Sequence, residues 1–192
     1  AGVEYALWLG TDVNAKNNDG ATPLHVACLD KNVDIAKFLI EKGADLNVQD
    51  HKYKTPLHFA CSNGNENVVK YLIEKGANVK LKNHKYETPL HLACKNDHIG
   101  IAEYLIEKGA KVNEKDKYGD TPLHRACLYN NFEITKFLIE KGANIDEKNN
   151  SGKTPEKLSA NEKIKTLIQK TRQKNKELFE LLQDKNATFE NV

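Results

Sequence analysis

Thr22-Pro23-Leu24-His25 returns at Thr55-Pro56-Leu57-His58, Thr88-Pro89-Leu90-His91 and Thr121-Pro122-Leu123-His124, each copy 33 residues after the one before. Thr154-Pro155-Glu156-Lys157 keeps the same register in degraded form. Each intact copy is followed by Ala-Cys, as in Ala27-Cys28. Further on comes a Glu-Lys-Gly-Ala run, starting at Glu41, Glu74, Glu107 and Glu140. A fixed period of this length marks an array of supersecondary units, none of which can bury its apolar face alone.

The quartet reads as a helix start. Thr is a natural N-cap, and Pro at N1 lacks only an N–H that the helix would leave unpaired. Leu24, Ala27 and Cys28 then fall on one face by their spacing. Asp30-Lys31-Asn32 turns the chain. A second helix from about Val33 puts Ile35, Phe38 and Leu39 on a buried stripe, and Gly43 ends it as a C′ residue able to take φ > 0. The extended stretch from Asp45 to Gln49 leads to a turn and the next Thr-Pro. The stripe recurs as Val68, Tyr71 and Leu72, as Ile101, Tyr104 and Leu105, and as Ile134, Phe137 and Leu138. Stacking makes these stripes continuous, so each repeat contacts only its neighbours. Each large side chain fully buried in this way contributes about 1.5–3 kcal/mol.

In its period and its Thr-Pro-Leu-His motif the chain resembles the ankyrin-repeat family over residues 1–170. The resemblance implies an all-α solenoid of helix-turn-helix units whose hairpin-like loops project from the helix layers. On this reading a partial repeat (1–16) precedes full repeats at 17–49, 50–82, 83–115 and 116–148. A capping repeat (149–170) and a C-terminal helix with a frayed tail (171–192) follow. The partial start, in which Gly10 to Asn14 aligns with Gly43 to Asn47, suits an array that continues before Ala1. Glu156, Lys157 and Ser159 are the polar replacements expected where an array meets solvent. In the last segment Leu178, Leu181 and Leu182 share one side of a helix, expected to cover the end of the array.

Bulk composition excludes little. Lys+Arg is 29 and Asp+Glu 27, a net charge of +2 that makes no case for nucleic acid or an anionic membrane as bulk partner. No apolar run approaches the ~20 residues of a membrane-spanning helix. The four cysteines fall on the period. Stacked helices lie about 8–10 Å apart, beyond the ~7 Å Cα separation that a disulfide bridges, so free thiols are expected. Free buried thiols suit the cytosol or nucleus.

The four quartet histidines do not form a metal site, because about 10 Å separates successive repeats and ligand nitrogens must lie ~2.0–2.1 Å from one zinc ion. Each ring is expected to hydrogen-bond neighbouring loop backbone. No CxxC, P-loop, GxSxG or HExxH pattern occurs, so neither a catalytic group nor a cofactor is expected. Asn14, Asn47 and Asn113 resemble the asparagines that hydroxylases modify in some ankyrin repeats; a structural role is preferred.

Function is therefore sought where the repeats disagree. The loop tips read Asn17 to Ala21, Asp50 to Lys54, Asn83 to Glu87, Asp116 to Asp120 and Asn149 to Lys153. The family pattern favours Gly at the fourth tip position, as at Gly20, Gly119 and Gly152, but Tyr53 and Tyr86 stand there in the second and third tips. Either residue costs local energy at φ > 0 or reshapes the turn. Tyrosine-rich surfaces with cations are typical of interfaces. The candidate protein-binding surface comprises Lys52, Tyr53, Lys54, Lys85, Tyr86, Lys117 and Tyr118 on the tips. The resemblance adds the concave face of the first helices: Val26, Phe59, Leu92 and Arg125, then Leu29, Ser62, Lys95 and Leu128, then Asp30, Asn63, Asn96 and Tyr129. Phe59, Leu92, Arg125, Leu128 and Tyr129 are its strongest candidates. Tyr53 and Tyr86 could instead simply pack on neighbouring loops, with the lysines a solvated rim. The expected function is that of a monomeric, non-enzymatic scaffold binding a folded protein. One alternative is the targeting module of a larger enzyme. Another is a nucleic-acid or anionic-ligand binder using the basic tips, against which Asp50, Glu87, Asp116 and Asp120 weigh.

Overall fold

The protein is described here by a computed structural model covering residues 10–30 and 33–189, with side chains to residue 183. Among the described residues there are ten helices and no strand. They come in pairs: α1 (Pro23–Leu29) with α2 (Val33–Glu41), α3 (Pro56–Asn63) with α4 (Glu66–Glu74), α5 (Pro89–Lys95) with α6 (Ile99–Glu107), and α7 (Pro122–Leu128) with α8 (Phe132–Glu140). The last pair is unequal, the single turn α9 (Pro155–Leu158) and the long α10 (Glu162–Phe189). First helices pack on first helices and second on second, giving two layers that run the length of the array. Residues 1–9, 31–32 and 190–192, which include most of the expected partial repeat and two of the three residues in the first turn, lie outside the described residues.

Each full repeat starts as the quartet predicts. Thr22, Thr55, Thr88 and Thr121 hold β-region N-cap geometry, with Pro next. The N3 histidine returns its Nδ1 to the threonine N–H at 3.0–3.2 Å, taking the place of the glutamate in a capping box. Leu24, Leu57, Leu90 and Leu123 are fully buried, with the small Ala-Cys pairs beside them where first helices meet. All four cysteines are free and buried.

The buried stripe of the second helices is narrower than expected. Leu39, Leu72, Leu105 and Leu138 are fully buried, and Ala36, Val69, Ala102 and Thr135 join them. Ile35 is only half-buried, as are Phe38, Tyr71, Tyr104 and Phe137. These aromatic rings sit at the edge of the core, each with a lysine ammonium 5.2–5.8 Å from its centre. A large ring can cover the core while its outer face meets a cation, so the helix surface accommodates it without full burial.

At the C-terminal end, Ile164 and Ile168 are fully buried against the last full repeat. One continuous helix runs through residues 170 and 171, where a boundary was expected. Arg172 ties it back by ion pairs to Asp146 at 2.9 Å and Glu156 at 3.0 Å. Beyond that point Leu178, Phe179, Leu181 and Leu182 are exposed, so only the first turns of α10 cover the array.

Candidate functional site

The loop tips share one local design. The side-chain oxygen of the first tip residue accepts the N–H groups two and four positions on. Asp50 does so from Lys52 and Lys54, both at 2.8 Å. Asn17, Asn83, Asp116 and Asn149 repeat the pattern. Such Asx turns explain why only Asn and Asp occupy this position. Successive tips are then stitched backbone to backbone. The N–H of His51 donates to Asp19 O, His84 to Lys52 O, Lys117 to Lys85 O and Asn150 to Tyr118 O, at 2.8–3.0 Å. Side chains on neighbouring tips are thereby held in register.

Tyr53 and Tyr86 adopt φ of 57° and 56°, the left-handed region that Gly20, Gly119 and Gly152 occupy in the other tips. The turn is kept and the residue is strained. Their rings do not offset that strain by packing: Tyr53 is 59% exposed and Tyr86 58% exposed. Tyr118, Leu128 and Tyr129 are also exposed. Phe59 is half-buried, with His25 against its edge and the Lys54 ammonium 5.3 Å from its centre.

Two concave positions differ from the expected exposure. Leu92 is buried, and Arg125 is only 9% exposed. The Arg125 guanidinium donates to Asp116 Oδ2 through Nε, at 3.0 Å, and again through its terminal nitrogen. Asp120 lies 3.7 Å and Glu87 3.9 Å away. The Tyr118 ring packs over the guanidinium, 5.6 Å from centre to carbon. The family resemblance placed Arg125 on the groove lining; the three buried carboxylates around it draw it inward.

The same contacts change the charge of the tips. Glu87, Asp116 and Asp120 are buried, and each is engaged by Arg125 or a tip amide. Glu87, Asp116 and Asp120 therefore do not oppose the lysines on the surface, whereas Asp50 stays half-buried and accepts the N–H groups of Lys52 and Lys54 through Oδ1. Lys52, Lys85 and Lys117 are exposed and Lys54 is half-buried. None of these four forms an ion pair among the described residues.

Two consecutive clefts open in the angle between tips and first helices. The first, about 310 Å³, lies between the first and second tips, with Val26, Leu29 and Phe59 as its apolar floor. The second, about 280 Å³, lies between the second and third tips and is lined by Lys52, Lys54, Lys85 and Lys95 as well as the edge of Leu92. Lys52 and Lys54 line both. Lys95, Val26 and Leu29 line these clefts, although the concave rows implied by the resemblance did not rank them above their neighbours. The position equivalent to Leu92 in the next repeat is filled by Arg125 and covered by Tyr118.

The histidines are structural, as expected. His25, His58, His91 and His124 place Nε2 at 2.9–3.1 Å from the carbonyl oxygens of Lys54, Glu87, Asp120 and Lys153. Among the described residues no group of three or more His, Cys, Asp or Glu side chains is arranged to hold a metal ion. Asn14, Asn47 and Asn113 use their side-chain oxygens to accept the N–H of Asp45, Asn78 and Asn144, each at 2.8 Å, which gives them a structural task. No helix of the described residues is long and apolar enough to cross a membrane.

A family model described as ankyrin repeats, in three copies, matches residues 2–83, 78–149 and 114–188. Comparison with curated proteins finds no match.

Proposed function

The chain belongs to the ankyrin-repeat family, and on that premise we propose that it is a non-enzymatic scaffold that binds a folded protein through its loop tips and concave helix face. Ankyrin repeats are in general protein–protein interaction modules. The observation that carries the reading for this chain is the pair of strained, exposed tyrosines at Tyr53 and Tyr86. Left-handed backbone at a bulky residue costs about 1–2 kcal/mol. Strain of this kind clusters at binding sites, where the side chain serves something outside the fold. Tyr118, Leu128 and Tyr129 continue the exposed aromatic and apolar surface. Aromatic side chains in such positions dominate interface energetics.

The test compares the wild-type chain with a variant carrying Tyr53→Ala, Tyr86→Ala, Tyr118→Ala and Tyr129→Ala. Both are used to capture partners from the native source, with circular dichroism confirming that the variant is folded. Partners that depend on this surface should be lost from the variant. The same partners at equal yield would show that the surface lies elsewhere.

A further inference from the structure

We infer that the groove across the first three repeats takes an extended acidic segment of a protein partner, with an apolar side chain in the first cleft and a carboxylate about three residues away in the second. The inference rests on the protein-binding reading above and names the chemistry of the partner.

Charge carries it. Lys52, Lys54, Lys85 and Lys95 converge on one cleft of about 280 Å³. The acid that lines this cleft, Glu87, is buried, and its carboxylate is turned to Asn83 Nδ2 at 2.8 Å and toward Arg125; Asp50, in the second tip, accepts the N–H groups of Lys52 and Lys54 through Oδ1. The four lysines thus line one concave site; the Lys54 ammonium lies over the Phe59 ring and the Lys95 ammonium over the Tyr129 ring, each 5.3 Å from the centre, and none of the four is ion-paired among the described residues. Confining like charges raises the local potential, and an entering carboxylate relieves it.

Shape and spacing supply the rest. The neighbouring cleft has a floor of Val26, Leu29 and Phe59, and the first two of these side chains are exposed. Adjacent cells of a stacked array lie about 10 Å apart. An extended chain rises about 3.3 Å per residue, so residues about three apart reach consecutive cells. Lys52 and Lys54 form the wall between the cells and face both. At the fourth repeat Arg125, neutralised by Asp116 and covered by Tyr118, fills the position equivalent to Leu92, and Lys117 is the exposed cation of the tip. A protein segment with mixed apolar and acidic character fits these two cells better than a nucleic acid, whose repeating phosphates require a continuing basic track.

The experiment displays a random decapeptide library to the folded chain and sequences the retained peptides. The expected result is enrichment of Asp or Glu about three positions from Leu, Ile or Phe. A synthetic peptide of the enriched sequence, followed by fluorescence anisotropy, should bind at least tenfold more weakly to a Lys52→Glu, Lys95→Glu variant. Its affinity for a Lys153→Glu control should be unchanged. Enriched peptides without acidic bias, or affinity that survives the double charge reversal, would overturn the acidic-segment assignment while leaving the scaffold reading in place. A library that returns no binder would overturn the groove as a peptide site, and the tyrosine variant tests the scaffold reading separately. Binding of a single-stranded oligonucleotide as tight as that of the acidic peptide would also overturn the assignment, by showing a general polyanion site.

Discussion

His58 Nε2 lies 3.1 Å from the carbonyl oxygen of Glu87, in the tip of the following repeat, while its Nδ1 lies 3.1 Å from the N–H of Thr55. The carbonyl can only accept and the amide can only donate. The ring is therefore neutral, with its proton on Nε2, and a second proton would have to sit on Nδ1 facing an N–H. The same pair of contacts recurs at His25, His91 and His124.

The array should consequently lose stability in mild acid. Burial lowers His58 from 6.5 to about 4, and it also lowers His25, His91 and His124. Between those pH values the unfolded chain binds protons that the folded chain refuses. The stabilisation is complete above about pH 6.5 and is lost as the pH falls toward about 4. For His58 alone the full interval is worth about 3 kcal/mol, of which about 2 is gone at pH 5. Urea unfolding at pH 7.5 and pH 5 checks this, and equal stability at the two would show that the rings accept a proton freely.

Lys80 interrupts a second periodic bond. The side-chain oxygen of Asn47 accepts the N–H of Asn78, and those of Asn14 and Asn113 do likewise for Asp45 and Asn144, but Lys80 stands at the equivalent position and has no acceptor to offer Lys111. A recess of about 200 Å³ lined by Lys80, Ala110, Lys111 and Glu114 opens at this joint. Lys80→Asn should restore the link and raise stability by about 0.5–1 kcal/mol, the modest value of an exposed hydrogen bond. Thermal unfolding of the two chains measures it, and a lower midpoint for the variant would show that Lys80 packs usefully where it is.

The array was legible in the sequence because its period repeats every constraint several times. The Thr-Pro-His start and the C′ glycines needed no tertiary information, and the free cysteines needed only the general spacing of stacked helices. The site was less legible. Tyr53 and Tyr86 announced themselves by replacing glycine, a purely local signal. Arg125 did not, because its fate depends on Glu87, which lies one repeat away, and on Asp116 and Asp120, which lie in the tip that precedes its helix. Helix spacing gives the direction of a side chain but not the charge it meets. Phe38 and Tyr71 were overcounted as core for a similar reason: the lysines over their rings come partly from neighbouring turns.

The four thiols should be inert while the chain is folded. Burial pushes Cys28 and Cys127 up to about 12, and it raises Cys61 and Cys94 as well. The thiolate is the reacting species, so a disulfide reagent at pH 8 should find none in the native protein and four after unfolding in guanidinium. Rapid modification of the native chain would indicate local opening of the first-helix layer.

Glycine at either strained tip should stabilise the fold. Tyr53→Gly and Tyr86→Gly each remove a left-handed conformation worth about 1–2 kcal/mol, offset by about 0.5–1 kcal/mol of added freedom in the unfolded chain. The net gain should be about 0.5–1 kcal/mol per site, read from urea midpoints. If these rings are held for a partner, the same variants should bind it more weakly. Destabilised variants would mean that the tyrosines contribute packing which their exposure does not reveal.

Arg125 should be the costliest single side chain to remove outside the hydrophobic core. Arg125→Leu leaves Asp116 buried with one oxygen unanswered, and Glu87 and Asp120 nearby without their cation. Breaking a buried ion pair in this way costs about 3–5 kcal/mol. The repeat before it shows how the site does without the ion pair. Asn83 occupies the tip position of Asp116 and Leu92 the helix position of Arg125, and Asn83 still accepts from the N–H groups of Lys85 and Glu87. The double change Arg125→Leu, Asp116→Asn copies that arrangement. It keeps the acceptor for Tyr118 and Asp120 and removes one orphaned carboxylate. Stability measured in urea should therefore fall sharply in the single variant and recover by at least half in the double one. Equal losses in the two would mean that Glu87 and Asp120, and not Asp116, are the carboxylates that need the guanidinium.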